Sequence, residues 1–322
     1  MAWLIALLCI AAASCSRGAS PDAPAAIPTP QQTPSPTPAA VAPVQIEMKN
    51  VRLHVAEGIM LDIASLRGEM VSRKPNQAPV FDDQNSYVLH VFSGDISMDM
   101  ASLGHLMNDV LFKYDGSPLS DITVEVDEGR LKQKAKLHKG VPIPISMKAS
   151  VSVTEDGRLR LQTEKVSALG VPAKSLMELF GLELDNVVNL KNRRGIEIDG
   201  NDVILSPGQI VPPPEIRGRL ASVAIVGDRL VQGFGTPGAE TRPIPPPPDP
   251  KAPNYIYFSG STITFGRLTM RPAELQLIDS DPKDPFDFFA SRYERQLVAG
   301  YSKNTPSGGL KTYMPDYGDL KR

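Results

Sequence analysis

The hydrophobic period changes from two to 3.6 within residues 119–181, and no other feature of this chain restricts its fold as strongly. Ile122, Val124 and Val126 alternate with Thr123 and Glu125, Glu128-Gly129 supplies a turn, and Leu131, Ala135 and Leu137 mark the return strand. Ile143, Ile145, Met147, Ala149, Val151 and Val153 all fall on odd positions and so on one strand face. Asp156-Gly157 then turns that strand back through Leu159 and Leu161. Past Gly170 the spacing becomes helical: Pro172 suits a first turn, Leu176, Met177, Leu179 and Phe180 form a stripe, and Gly181 suits a stop. Two hairpins with one apolar face, followed by an amphipathic helix, predict a sheet that packs on a helix.

The chain around this stretch repeats the theme. Residues 51–55 and 60–71 read as a hairpin about Glu57-Gly58, residues 72–83 as an exposed loop, and residues 87–98 as a strand. Asp99 suits an N-cap for a helix whose Met100, Leu103, Met107, Val110 and Leu111 recur at three- and four-residue steps. Residues 184–190 read as a helical turn, residues 196–205 as a hairpin, Pro212 to Pro214 as a rigid crossing piece, and residues 216–234 as a two-strand unit about Gly227-Asp228. Four short strands (255–258, 263–265, 268–270, 275–278) and a helix over residues 285–299 complete the pattern. The sum is an α+β fold of at least ten antiparallel strands and three helices.

The N-terminus predicts a compartment. Residues 3–13 form an apolar run too short to span a bilayer, ending in Ala12-Ala13-Ser14-Cys15, as an export signal does. Small residues before Cys15 resemble the lipobox of bacterial lipoproteins, in which the Cys becomes an acylated first residue; ordinary cleavage after Ala13 is the alternative. The only two cysteines are Cys9 and Cys15, so an exported body has no internal disulfide and depends on its core. Residues 19–44 alternate Pro, Ala and Thr with almost no charge, a stalk whose extended contour is at most about 80 Å. The expected segments are a signal peptide (1–14), anchor and stalk (15–44), a main domain (45–235), a flexible Pro-rich linker (236–253) and C-terminal strands with a helix (254–322).

Charge offers two candidate sites, each with a structural alternative. Arg130, Lys132, Lys134, Lys136 and His138 share one strand face, as a phosphate-binding stripe would. Pairing about Glu128-Gly129 sets Asp127 against Arg130, Glu125 against Lys132 and Asp121 against Lys136, which largely cancels the field. Asp279, Asp281, Asp284 and Asp287 offer hard oxygen ligands for Ca²⁺, but Asp284-Pro285 also fits an N-cap followed by Pro at the first helical position, and capping is the preferred reading. The four histidines lack metal-ligand spacing. With a net charge of −2 no nucleic-acid partner is expected. Gly-x-Ser-x-Gly, His-Glu-x-x-His, Gly-Lys-Ser/Thr and paired-Cys motifs are all missing, so no enzymatic activity, metal or cofactor is expected.

The apolar surface remains. Leu103, Met107 and Leu111 of the first helix, Ile143, Ile145, Met147, Ala149 and Val151 of the strand, and Leu176 and Phe180 of the second helix are the candidate lining of one apolar groove. Methionine adapts to irregular apolar ligands, and only 6% of residues are aromatic, so few large rings exist to plug the space. The competing reading is a filled core. The order helix, antiparallel meander, helix opening on Gly-Val-Pro, and the hairpin Ile-Glu-Ile-Asp-Gly-Asn-Asp-Val-Ile-Leu resembles the LmeA-like, tubular lipid-binding group of bacterial envelope proteins, over residues 87–234. That resemblance implies a long, strongly curved antiparallel sheet wrapped on amphipathic helices, with a phospholipid groove. It sets the leading expectation: a lipid-binding or lipid-shuttling lipoprotein on the periplasmic face of a membrane. The rival is an assembly factor that docks other envelope proteins through exposed strands. If Cys15 is acylated, metabolic labelling with a fatty-acid analogue marks the protein, and a Cys15→Ala variant loses the label; label retained by that variant rules the anchor out.

Overall fold

Alternation of apolar and polar residues, broken at a few positions, runs through the three long N-terminal strands, and these form the spine of the fold. In a computed structural model, which describes residues 41–139, 141–168, 195–200, 202–235 and 243–320, they are β1 (Val44–Ala56), β2 (Ile59–Ser72) and β3 (Tyr87–Asp99). Val44, Ile46 and Met48 of β1 and Ile59, Leu61 and Ile63 of β2 are buried on a shared face. The β2–β3 register slips between Ile63 and Ser65 and again between Arg67 and Gly68. At Gly68 a Cβ would sit 2.3 Å from the His90 carbonyl oxygen, so only glycine permits the close approach at this bulge.

β3 runs into α1 (Met100–Leu106), which widens into a π-helical turn over Met107–Leu111. The predicted double hairpin follows as β4 (Leu119–Asp127), β5 (Arg130–Lys139), β6 (Val141–Val153) and β7 (Leu159–Ala168). With β8 (Ile196–Asp199) and β9 (Asp202–Leu205) these strands build a six-stranded sheet in the order β4-β5-β6-β7-β9-β8, every pairing antiparallel. A one-turn helix α2 (Pro207–Ile210) leads to β10 (Glu215–Arg217), β11 (Leu220–Val226) and β12 (Arg229–Gly235). The chain ends with β13 (Tyr255–Gly260), β14 (Ile263–Phe265), β15 (Leu268–Met270), β16 (Ala273–Asp279), β17 (Phe286–Phe289), α3 (Tyr293–Ala299), β18 (Tyr301–Asn304) and β19 (Leu310–Met314).

The second sheet has eleven strands, its main path β11-β12-β3-β2-β1-β13-β16-β19-β18, and β1 forks within it. Val44 to Lys49 pair antiparallel with β13, whereas Val51 to His54 pair parallel with β17. Asn50 sits at the fork with φ at +50°, a left-handed conformation that Asn adopts more readily than most residues. Its Nδ2 donates to Asn254 Oδ1 (2.6 Å), and the buried Asn254 donates in turn to Asp279 Oδ2 (2.8 Å) and to the Asp284 carbonyl (2.5 Å). One amide thus ties β1, β16 and the approach to β17. Strands on both sides of the Pro-rich segment therefore share a single sheet, and residues 39–322 form one unit. Within that segment Ile244 and Ala252 pack against Tyr255, Tyr257 and Ile278, while the Gln276 amide bonds the backbone N–H and carbonyl of Asp249.

The chain is mostly β-sheet with a few helices, and three details differ from expectation. Residues 285–299 are not one helix: Phe286–Phe289 is a strand, and only Tyr293–Ala299 is helical. Phe286 and Phe288, both fully buried, stand two residues apart, which puts them on one face of a strand but on nearly opposite sides of a helix. Three pairings are parallel (β10 with β3, β17 with β1, β16 with β19) where only antiparallel ones were read. The exposed loop before β3 contains Phe81, which is buried against Phe265 (centroids 4.3 Å apart), Phe258 and Tyr293. The helix expected at 172–180, the turn at 184–190 and the leader and stalk through residue 40 lie outside the described residues.

Asn254→Ala deletes the three hydrogen bonds that converge on one buried side chain and strands Asn50 and Asp279. Urea unfolding is expected to register a loss of about 2–3 kcal/mol; an unchanged midpoint would show that the fork does not need this amide.

Candidate functional site

α1 owes its position to polar contacts at both ends. Asp99 Oδ1 accepts from Ser102 N (2.6 Å), the expected N-cap, and Ser102 Oγ accepts from Met60 N (3.2 Å), which pins the first turn to β2. Beyond α1, Phe112 N donates to the Met107 carbonyl (2.8 Å), closing the wider π turn. Asn108 then acts on β4: its Nδ2 donates to the Ile122 carbonyl (2.6 Å) and its Oδ1 accepts from Ile122 N (2.9 Å). Ile122 lies at a bulge where Asp121 has φ +52° and the β4–β5 register slips.

Held this way, Leu103, Leu106, Met107 and Leu111 face the six-stranded sheet across a cleft. The opposite wall consists of Val124 on β4, Leu131 on β5, Met147 and Ala149 on β6, Leu159 and Leu161 on β7, and Leu205 on β9. Gln133 is the one polar side chain in the lining, and its Nε2 donates to Met107 Sδ (2.9 Å). The cleft encloses about 40 Å³. A second void of about 60 Å³ lies beside it, sharing Leu103, Leu106, Leu159, Leu205, Ile210 and Leu230. A third, of about 50 Å³, adjoins the second at Ile216 and ends among Pro212 to Pro214 and Phe288. Strands of both sheets line the first two voids, whereas the third is lined by the eleven-stranded sheet and its connections alone.

Of the ten groove residues read from the sequence, Leu103, Met107, Leu111, Met147 and Ala149 line the cleft, and Val151 packs on the same core. Ile143 and Ile145 share the strand face but lie farther along β6, paired with Leu137 and Ala135 and outside the cleft lining. Leu176 and Phe180 fall outside the described residues, as does Cys15. Sequence reasoning missed Leu106, Leu205 and Leu230, each the apolar side of an element already recognised, Ile210 on a short helix it did not read, and Asn108, for which no periodic signal exists.

The cations of the stripe on β5 are paired with neighbouring carboxylates. Lys132 pairs with Glu125 (3.1 Å) and Asp127 (3.4 Å), Lys134 with Glu125 (2.8 Å), Lys136 with Asp121 (2.8 Å) and Arg130 with Glu164 (2.7 Å), while His138 Nε2 meets Ser120 Oγ (2.8 Å). The Asp127–Arg130 and Glu125–Lys132 register is as predicted. Hydrogen bonds from Lys134 and Lys132 hold the Glu125 carboxyl below its ordinary range, as two close cations must.

The aspartates at 279–287 are neither a helix cap nor a cation cage. Asp284-Pro285 precedes a strand, and no group of three His, Cys, Asp or Glu side chains among the described residues is placed to hold a metal ion. Asp279 accepts from Asn254 and from Asp281 N (2.8 Å), and Asp281 pairs with Lys283 (2.9 Å). Asp287 bonds His54 and accepts from Gly318 N (3.0 Å); burial pushes its carboxyl up, but His54, the Gly318 N–H and the Arg52 charge together leave it below the ordinary value. Asp316 accepts from Asp287 N (2.7 Å), yet burial, with the carboxylates of Asp279, Asp284 and Asp287 nearby, pushes it up to about 7.

No protein family matches the chain, and neither does any curated protein or solved structure. No helix among the described residues is long and apolar enough to cross a membrane.

Because Asp316 stays protonated in the folded state up to about pH 7 while the unfolded carboxyl ionises near pH 4, the folded chain binds the extra proton between those values. Its contribution to stability is therefore complete below pH 4 and is lost as pH rises toward 7. Asp316→Asn, neutral throughout, should gain on the parent between pH 4.5 and pH 7.5 in paired urea titrations. A gap between the two proteins that does not change with pH would contradict the assignment.

Proposed function

We propose that this chain is a non-enzymatic bacterial envelope lipoprotein, anchored through Cys15 on the periplasmic face of a membrane, that binds or shuttles lipid in the cleft between α1 and the six-stranded sheet. The observation that carries this reading is the lining: fourteen residues, thirteen of them apolar, with one methionine on the helical wall and one on the sheet. The buried rings Phe81, Phe258, Phe265, Phe286 and Phe288 gather instead among the C-terminal strands, so the cleft walls are flexible aliphatic and thioether side chains. At about 40 Å³ the cleft is far smaller than the ~300–1,000 Å³ of typical ligand pockets. A bound acyl chain takes its room by displacing Met107 and Met147, whose three rotatable side-chain bonds make such repacking inexpensive. The resemblance to LmeA-like tubular proteins supports the same reading, with the six-stranded sheet as the curved wall about the helix.

A second reading, docking to other envelope proteins, is favoured by β18. This strand ends the eleven-stranded sheet with all four residues exposed, and such an edge accepts an added strand.

Mass spectrometry of lipids that co-purify with residues 41–322 separates the two readings. Met147→Trp, at a half-buried position, should lower bound lipid several-fold with little change in melting temperature. Ala149→Phe, at a position 4% exposed, should cost about 1–3 kcal/mol as overpacking does. Lipid absent from the parent as well as from both variants would leave the cleft as plain core.

A further inference from the structure

β12 turns Leu230, Gln232 and Phe234 to the interior, and the middle residue of the three is out of place there. Gln232 is 6% exposed, stands in register with Ile96 of β3, and its Oε1 is buried without a hydrogen-bond partner. It lines the 60 Å³ void next to the cleft, and every other side chain of that wall is hydrocarbon or thioether, so none can donate a proton. A buried amide oxygen left unpaired is disfavoured, and native proteins supply such groups with a partner. The donor here must arrive with whatever fills the void. It cannot be charged: the lining contains no Lys, Arg or His, and a carboxylate or phosphate would sit there uncompensated.

We propose that the void beside Gln232 receives the uncharged hydroxyl end of a lipid, donating to Gln232 Oε1, while the alkyl chain lies in the adjoining cleft. The ligand class is then neutral and hydroxyl-bearing, such as a long-chain alcohol, and the inference rests on the lipid-binding reading above. Six residues line both voids, so the two spaces adjoin across one set of aliphatic side chains, and head and chain share them once those side chains repack.

Two probes of nearly equal shape test it: 1-decanol, which can donate, and decyl methyl ether, which can only accept. Titrated by calorimetry into the full-length chain carrying Cys15→Ala, decanol should bind roughly ten-fold more tightly, equivalent to about 1.4 kcal/mol. Gln232→Leu should fold at least as stably, still bind both probes, and lose the preference. Equal binding of the two probes by the parent, as a water at Gln232 would produce, overturns the inference while leaving lipid binding in place; so does a preference that survives in Gln232→Leu. Failure of both probes to bind either protein overturns the lipid reading itself.

Discussion

The backbone of β1 needs partners along thirteen residues, and no single neighbour on its outer side supplies them. β2 satisfies one edge; the other is divided between β13 and β17, strands that follow β1 by some two hundred residues. Buried peptide groups left without partners would cost more than most side-chain contacts return, so the C-terminal strands are obligatory to the N-terminal hairpin. The fork needs a change of direction at one residue, which Asn50 supplies, and a buried tie, which Asn254 supplies. Everything that hangs on the spine, α1 and its cleft included, inherits that closure.

What the sequence reveals of this fold is what is encoded locally. Alternation marks β4 to β7, Glu128-Gly129 and Asp156-Gly157 mark two of their turns, and Asp99 marks the start of α1, because each depends on contacts within a few residues. The pairing of β1 with β17 leaves no such mark, since its partners are distant and their hydrogen bonds are backbone ones. Residues 285–299 mislead for a related reason: Asp-Pro at one end and Gly300 at the other are sound helix punctuation, yet the alternating phenylalanines between them answer to a tertiary partner. Half of the groove reading transfers to the cleft and Ile143 with Ile145 does not, because alternation fixes which face a residue takes and not how far along the strand a helix lies above it.

The core is continuous but uneven in material. Around Phe81 and Phe258 flat rings meet edge to face at fixed angles, an arrangement with few alternatives. Between α1 and β6 the contacts are Leu, Met and Ala, which reach similar density through many rotamer combinations. One part resists deformation and the other accommodates it, with Gln133 and Gln232 the polar landmarks on the softer side.

Asn108 gives the outermost strand of the six-stranded sheet something that strand would otherwise lack. β4 has β5 on one side only, and the amide of Asn108 offers Ile122 both a donor and an acceptor, as a neighbouring peptide group would. Together with the Asp121 bulge, this occupies the rung at which another chain would begin to zip onto the sheet. The π turn that carries Asn108 thereby opposes the pairing of a second copy's sheet along β4.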